Sequence, residues 1–199
     1  MAIRLSGKKV AESVYERLGK EISQLSQAPK IIFIRVGEDP ASQTYVNAKA
    51  KRCAELGAVS ETLVYPENVQ ESELLTKINA LNEDASVSGI LVQLPLPSHL
   101  DKEKVLETIS PNKDVDGLHS ANLGKLLQGN PRFVPCTPAG VLEMLKHYNI
   151  PVSGKHVVVV GRSEIVGKPA ALLMLMNHGT VTICHSRTAN LAEVTRTAD

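Results

Sequence analysis

The sequence predicts an α/β protein built from parallel strand–helix–strand units, and three observations support this. Short β-branched runs occupy residues 30–36, 89–93 and 156–160, and longer segments of helical period lie between them. Alternation of this kind is typical of parallel sheets with crossover helices. Hydrophobic residues make up 43% of the 199 residues, which is enough for a sizeable core. We therefore expect an N-terminal βαβ-type lobe with a parallel sheet, followed by a second α/β lobe.

The first lobe is predicted to contain four helices and three strands. A helical period runs over residues 7–25, and Asp39 before Pro40 is a helix-start signal, because the carboxylate accepts free N–H groups and proline suits the first turn. That second helix is predicted to end near Leu56, with Gly57 as its terminating residue. The remaining elements are a strand over 30–36, a strand over 61–65, a helix over 71–82, a strand over 89–93 and a short helix over 101–109.

The second half begins with an irregular stretch, residues 111–136, and then returns to regular structure. We expect a helix from the cap Thr137 and the first-turn Pro138 to about residue 148, strands over 156–160 and 180–184, and helices over 168–177 and 190–197. Only two strands follow residue 150, whereas a nucleotide-binding half has three. The predicted lobes are residues 1–137, with catalytic residues, and residues 138–199, an incomplete nucleotide-binding lobe.

Composition argues against several classes of function. The formal net charge is +1, aromatic residues make up 3% and there is no Trp, which disfavours nucleic-acid binding and attachment to anionic membranes. The cysteines, Cys53, Cys136 and Cys184, form no Cys-x-x-Cys pair, and the six histidines show no ligand spacing, so we expect no metal site. No apolar run approaches the ~20 residues of a membrane helix. We expect a cytoplasmic protein.

A glycine-bounded turn follows the strand of valines at residues 156–160. Glycine lets the backbone approach a phosphate, and the N-terminus of the next helix offers free N–H groups, so the turn predicts a nucleotide phosphate site. The spacing departs from G-x-G-x-x-G, and an ordinary strand–helix turn is the alternative. The candidate cofactor-binding residues in this turn are Gly161, Arg162, Ser163, Ile165 and Gly167.

The end of the second strand of this half indicates which dinucleotide is bound. NAD sites usually place a carboxylate there for the ribose 2′-hydroxyl. Residues 184–188 contain no Asp or Glu; Ser186 and Arg187 stand there instead, and Arg162 lies in the neighbouring turn. Because a guanidinium suits a phosphate, these residues predict the 2′-phosphate of NADP. The alternative is that both arginines are solvated surface residues.

Three further residues or pairs are candidates for catalysis. Tyr45 and Lys49 are one helical turn apart, so that the ring suits a flat ligand and the amine suits proton transfer; a lysine packed over an aromatic ring is the alternative. Gln93 ends a buried strand, where ligands bind in α/β sheets, and offers its amide to a substrate, to Lys49 or to a loop backbone group. Asp116, in Asp114-Val115-Asp116-Gly117, suits a heterocycle bearing N–H groups or an Asx turn.

Several segments together resemble the methylenetetrahydrofolate dehydrogenase/cyclohydrolase family, in order along nearly the whole chain. The segment from Tyr45 to Lys51 is similar to the family pattern Y-V-x-x-K-x-K, residues 89–97 to G-I-L-V-Q-L-P-L-P, residues 111–117 to P-x-K-D-V-D-G, and residues 161–169 to G-R-S-x-x-V-G-x-P. Residues 133–138 and 185–188 also fit. Each motif alone is modest, whereas the ordered set is specific.

The resemblance implies a folate-binding catalytic lobe and a Rossmann-like NADP-binding lobe. It also implies a reaction: NADP-dependent oxidation of 5,10-methylenetetrahydrofolate to the 5,10-methenyl form, then hydrolysis to 10-formyltetrahydrofolate. Lys49 is then the central catalytic residue, Tyr45 stacks on the folate, Gln93 tunes the Lys49 amine and Asp116 anchors the pterin, while Leu94 and Pro95 join them in binding substrate. Arg162 and Ser186 hold the 2′-phosphate.

The resemblance further implies a homodimer and a place in one-carbon metabolism and purine biosynthesis. Two alternatives stay open: an enzyme with only one of the two activities, and an inactive folate-binding fragment, because the nucleotide lobe is incomplete.

Overall fold

A computed structural model describes residues 4–199 of the chain. The elements are α1 (Gly7–Ser23), β1 (Lys30–Val36), α2 (Pro40–Glu55), β2 (Val59–Tyr65), α3 (Glu71–Glu83), β3 (Gly89–Val92), α4 (Lys102–Thr108), α5 (Ser120–Leu127), α6 (Cys136–His147), β4 (His156–Val160), α7 (Gly167–Met176), β5 (Thr180–Cys184) and α8 (Leu191–Arg196). The α/β class and the alternating order predicted from the sequence are confirmed. None of the helices in this part of the chain is long and apolar enough to cross a membrane.

The chain divides into two compact units. Residues 13–115 form one unit, and residues 116–199 together with residues 4–12 form the other. The division falls within α1. The boundary between functional lobes at residues 137 and 138 stays a prediction.

The unit of residues 13–115 is organised around a three-stranded parallel sheet of order β2-β1-β3. The central strand β1 is almost wholly buried, with Ile32 and Ile34 fully inaccessible, as expected for the middle of a parallel sheet. On its other face, Phe33 packs with Leu91 of β3 and with Val46 of α2. This packing holds α2 against the sheet, beside the point where β1 and β3 end.

The second unit contains a two-stranded parallel sheet of β4 and β5, paired from His156 with Thr180 to Val160 with Cys184. Its core joins Leu142 of α6, Met174 of α7 and Val152, with Val157 and Val181 of the two strands packed against them. Both strands end at the same edge, because they are parallel. The prediction of two strands after residue 150 is confirmed.

The predicted elements agree with the structure to within two residues, except that one helix was missed; two element starts were also misplaced by two residues. The stretch 111–136, predicted to be irregular, contains α5. Its Asn122 and Gly124 lower helix propensity and hid the pattern, while the His119 ring accepts the Ala121 N–H and caps the helix.

Helix α6 begins at Cys136 rather than after a Thr137 cap, and Pro138 is tolerated because first-turn N–H groups have no partner within the helix. Strand β2 begins at Val59, two residues early, because pairing with β1 extends to that residue.

Candidate active site

The turn between β1 and α2 sets the direction of the helix that carries Tyr45 and Lys49. Gly37 has a φ of +78°, a conformation that favours glycine, and its N–H donates to the Tyr65 carbonyl at 2.9 Å. The Asp39 carboxylate accepts the Ser42 N–H at 2.7 Å and caps α2, as the sequence predicted. The pKa of Asp39 is below its ordinary value, chiefly because of this backbone hydrogen bond, with smaller effects from the Ser42 side chain and the Arg35 charge.

Tyr45 and Lys49 lie one turn apart on α2. Val46 is buried against Phe33 and Leu91 and anchors this part of the helix. Tyr45 is 62% exposed, so its ring is free to meet a flat ligand, whereas Lys49 is half-buried. The pair therefore combines an accessible aromatic face with an amine partly removed from water.

Gln93 lies directly after β3, and its N–H donates to the Ile34 carbonyl of β1 at 2.8 Å. Its side-chain oxygen Oε1 accepts a hydrogen bond from Lys49 Nζ at 3.1 Å, and its Nε2 donates to the Leu94 carbonyl at 2.7 Å. The second bond determines which end of the amide faces the amine, because only the oxygen accepts from an ammonium. Of the partners that the sequence left open for Gln93, the structure has both Lys49 and a loop carbonyl.

The residues after Gln93 turn the chain away from the sheet. The Leu94–Pro95 peptide bond is cis. Leu94 is half-buried and Pro95 is exposed, so both predicted substrate-binding residues lie at the surface beside Gln93.

Asp116 begins the second unit and is half-buried. The next residue, Gly117, has a φ of +69°, and an added Cβ would lie 2.8 Å from the Val134 carbonyl carbon. Only glycine suits that position, so the backbone at Asp116 is closely constrained. Asp114, by contrast, is buried in the first unit, where its backbone pairs with Ile90.

The turn after β4 has a closely packed backbone. An added Cβ on Gly167 would lie 2.3 Å from the Gly161 carbonyl oxygen, a distance that no side chain tolerates. Gly161 itself has a φ of +146°, and its N–H donates to the Cys184 carbonyl at 2.8 Å. The first turn of α7 is thereby held close to the carboxyl ends of β4 and β5.

Ser163 caps α7 from inside this turn. Its hydroxyl accepts the N–H groups of Val166 and Gly167, both at 3.2 Å, and its carbonyl accepts the Lys168 N–H at 3.0 Å. Glu164 pairs with Lys168 at 3.6 Å, which offsets part of its repulsion toward an anion. In this structure Ser163 therefore binds the helix amides that the sequence analysis assigned to a phosphate.

The turn after β5 presents Ser186 and Arg187 to solvent. The His185 N–H donates to Thr188 Oγ1 at 2.8 Å, and the Arg187 N–H donates to His185 Nδ1 at 3.1 Å. Arg162 is likewise exposed in the turn after the neighbouring strand β4, and so is Ile165. Two guanidinium groups and a hydroxyl thus follow the carboxyl ends of adjacent strands, with no carboxylate among residues 184–188.

Arg35 belongs to none of the motifs in the sequence, yet it lies beside the turn that starts α2. Its guanidinium Nη1 donates to the Gly37 carbonyl, and the residue is buried. The available signal was a charged residue within the otherwise apolar run of β1. Within residues 4–199, no group of three or more His, Cys, Asp or Glu side chains is placed to hold a metal ion.

Two family models match the chain. Residues 5–116 match the catalytic domain of tetrahydrofolate dehydrogenase/cyclohydrolase, and residues 135–199 match the NAD(P)-binding domain of the same enzymes. The chain belongs to the tetrahydrofolate dehydrogenase/cyclohydrolase family. The resemblance inferred from the motifs is therefore confirmed, and the turn after β4 lies in the family's nucleotide-binding domain.

Curated relatives within the family are similar over the whole chain. The protein named Bifunctional protein FolD from Exiguobacterium sibiricum is 52% identical over 202 residues, which cover 100% of this chain and 73% of that protein. The protein of the same name from Acetivibrio thermocellus is also 52% identical, over 98% of this chain and 70% of its own length.

Solved structures of the family share the fold. The bifunctional enzyme FolD from Campylobacter jejuni is 46% identical with a TM-score of 0.96, covering 98% of this chain and 71% of its own. The FolD enzyme from Trypanosoma brucei, solved in complex with NADP cofactor and inhibitor, is 37% identical with a TM-score of 0.95, covering 100% and 70%.

Proposed function

We propose that the chain oxidises 5,10-methylenetetrahydrofolate to 5,10-methenyltetrahydrofolate with NADP and hydrolyses the product to 10-formyltetrahydrofolate. The family membership and the bifunctional relatives at 52% identity support both activities. The observation that carries the site assignment is the hydrogen bond between Lys49 and Gln93. It brings a proton-transferring amine and its orienting partner to the carboxyl edge of a parallel sheet, the edge where α/β proteins bind ligands.

The hydrolysis needs a general acid or base that transfers protons while water adds to the methenyl carbon. We assign this role to Lys49, because its amine is half-buried and held in one direction by Gln93. Tyr45 is assigned to stacking on the folate, since most of its ring is accessible. Asp116 is assigned to the N–H groups of the pterin ring, and Leu94 and Pro95 to the rim of the substrate site.

The residues around β4 and β5 suit NADP. Gly167 lets the first turn of α7 lie close against the Gly161 backbone, and the exposed Arg162, Ser186 and Arg187 offer donors to a 2′-phosphate. Gly161, Ser163 and Ile165 complete the assigned set. Ser163 stabilises the turn, because its hydroxyl accepts the N–H groups of Val166 and Gly167. When bound, NADP accepts the hydride that leaves the methylene carbon.

Assembly, location and pathway are finer proposals. We propose a homodimer in the cytoplasm that serves one-carbon metabolism and, through 10-formyltetrahydrofolate, purine biosynthesis. Tetrahydrofolate one-carbon derivatives are its proposed partners; the balanced charge supports neither a nucleic acid nor a membrane as a partner.

The decisive experiment replaces Lys49 by Met and follows both reactions by absorbance. We expect Lys49→Met to lose hydrolysis of methenyltetrahydrofolate while the dissociation constant for NADP, measured by calorimetry, stays within about twofold of wild type. Lys51→Met is the matched control, because Lys51 lies on the same helix with 80% of its side chain exposed. Near-normal hydrolysis by Lys49→Met would refute the role of Lys49, and absence of both reactions from the unmodified chain would refute the proposed function.

A further inference from the structure

Arg35 is a charged residue within the apolar core of the sheet. It is the sixth residue of the central strand β1, and only 7% of it is exposed. Strand residues alternate between faces, so Arg35 shares the face of Ile31 and Phe33, the side on which Phe33 packs against Val46 of α2. The guanidinium therefore lies on the α2 side of the sheet, near the end of the strand.

The contacts of Arg35 involve the turn that starts α2. Its Nη1 donates to the Gly37 carbonyl, while the Gly37 N–H donates to the Tyr65 carbonyl of β2 at 2.9 Å. The positive charge also acts on the Asp39 carboxylate, which caps α2 through the Ser42 N–H. One guanidinium thus binds the peptide at Gly37, two residues beyond Arg35, and its charge favours the carboxylate form of Asp39.

The same strand also fixes the position of Gln93. Its N–H donates to the Ile34 carbonyl, the residue directly before Arg35. Lys49 reaches Gln93 from α2, across 3.1 Å. The distance between amine and amide therefore depends on where α2 sits along β1. The hydrogen bond from Arg35 to the Gly37 carbonyl constrains the turn that leads into α2. With the Lys49 side chain in its present conformation, a shift of α2 by about 1 Å would take the pair beyond hydrogen-bond range.

We propose that Arg35 is a positioning residue for the hydrolysis reaction, acting through the β1–α2 turn to keep the Lys49 amine against Gln93. The proposal rests on the function proposed above for Lys49. In this proposal Arg35 does not touch the substrate.

A role in positioning is distinguishable from a role in folding. Burying a charge is costly, and apolar residues of similar volume at such sites are often neutral or stabilising. If Arg35 served only the fold, any loss of turnover in Arg35→Met would follow a loss of folded protein. If it positions α2, turnover falls in protein that remains folded.

The test compares Arg35→Met with Arg35→Lys, whose amine keeps a donor for the Gly37 carbonyl, and with Ile78→Val. Ile78 is a fully buried residue of α3, so that its shortening lowers stability without altering the turn. We expect Arg35→Met to lower kcat for methenyltetrahydrofolate hydrolysis by about tenfold or more, because small misplacements of catalytic groups are costly. Arg35→Lys should recover most of the rate, and Ile78→Val should retain it at temperatures where it is folded.

Hydrogen exchange supplies a readout that does not depend on activity. The Ser42 amide, which donates to Asp39, should exchange faster in Arg35→Met than in wild type and should be unchanged in Ile78→Val. If Arg35→Met does not fold, Arg35→Gln, which is neutral and shorter, replaces it in both measurements.

Unchanged kcat and unchanged Ser42 exchange in the folded Arg35 variant would overturn the proposal. The proposal would also be overturned if Ile78→Val lost as much rate as the Arg35 variant when the two proteins have the same free energy of unfolding. A wild-type chain without hydrolase activity would instead refute the proposed function; faster Ser42 exchange would then still support the role of Arg35 at the turn.

Discussion

The amine of Lys49 donates a hydrogen bond to the side-chain oxygen of Gln93 at 3.1 Å, although 44 positions separate the two residues in sequence. The Nε2–H group of Gln93 in turn donates a hydrogen bond to the Leu94 carbonyl at 2.7 Å. The chain therefore holds its proposed proton-transferring group by one side-chain amide of defined orientation.

Replacing Gln93 by Met removes this acceptor while keeping the length of the side chain. We expect kcat for hydrolysis to fall by about tenfold to a hundredfold, because the Lys49 amine loses its orientation. Gln43→Met makes the same chemical change on the exposed surface of α2 and should leave kcat unchanged. Equal rates for the two variants would show that the Lys49–Gln93 contact is not used in catalysis.

A methyl group at Gly167 tests the phosphate turn. Its Cβ would lie 2.3 Å from the Gly161 carbonyl oxygen, so Gly167→Ala should distort the turn and weaken NADP binding by at least about tenfold. Gly124→Ala is the control, since no atom outside the adjacent backbone of its own helix lies within 4 Å of its added Cβ. Because alanine is the better helix former, that control should gain up to about 1 kcal/mol in free energy of unfolding. Calorimetry with NADP and thermal unfolding measure the two effects; wild-type affinity in Gly167→Ala would contradict the assignment.

Removing the Arg162 guanidinium tests coenzyme preference. A hydrogen bond between charged groups contributes about 1.5–3 kcal/mol, so Arg162→Ala should weaken NADP binding by roughly tenfold to a hundredfold while the affinity for NAD stays unchanged. Arg196→Ala, an exposed change in α8, should alter neither affinity. Parallel loss of NADP and NAD affinity in Arg162→Ala would mean that Arg162 does not read the 2′-phosphate.

The three cysteines should react with iodoacetamide at different rates. Cys136 is exposed, Cys53 is half-buried and Cys184 is fully buried. Burial raises the pKa of the Cys53 thiol, so less of it is thiolate near neutral pH, and the thiolate is the reactive form. Mass spectrometry over time should show Cys136 modified before Cys53 and Cys184. Faster labelling of Cys53 than of Cys136 would contradict the prediction.

The pair of Glu71 and Lys104 should stabilise the fold in a pH-dependent way. Lys104 donates to Glu71 at 2.5 Å, which lowers the pKa of Glu71 and raises that of Lys104. A lowered carboxylate pKa contributes stability above the unfolded value of about 4.3, and this is lost as the pH falls through the folded value. The difference in melting temperature between wild type and Glu71→Gln should therefore be positive at pH 7 and shrink as the pH falls below the unfolded value.

Glu83→Gln is the control for that comparison, because the exposed Glu83 ends α3 and its charge is not favoured at a helix C-terminus. It should show no loss of melting temperature at pH 7. A difference between wild type and Glu71→Gln that stays constant from pH 7 to pH 3 would exclude the ion pair as its cause.

The sequence by itself determined the strands β1, β4 and β5 to the residue and the cap of α2, because β-branched runs and an Asp-Pro start are local signals. It also supplied the ordered motifs of the family. Only the tertiary structure decided that Gln93 binds both Lys49 and a loop carbonyl, that Ser163 binds amides at the start of α7 and that Arg35 donates to the turn before α2. The physical reason is that these contacts depend on strand order and on chain direction in space. Strand β3 lies beside β1 rather than β2, and the periodicity of apolar residues carries no record of which strands become neighbours.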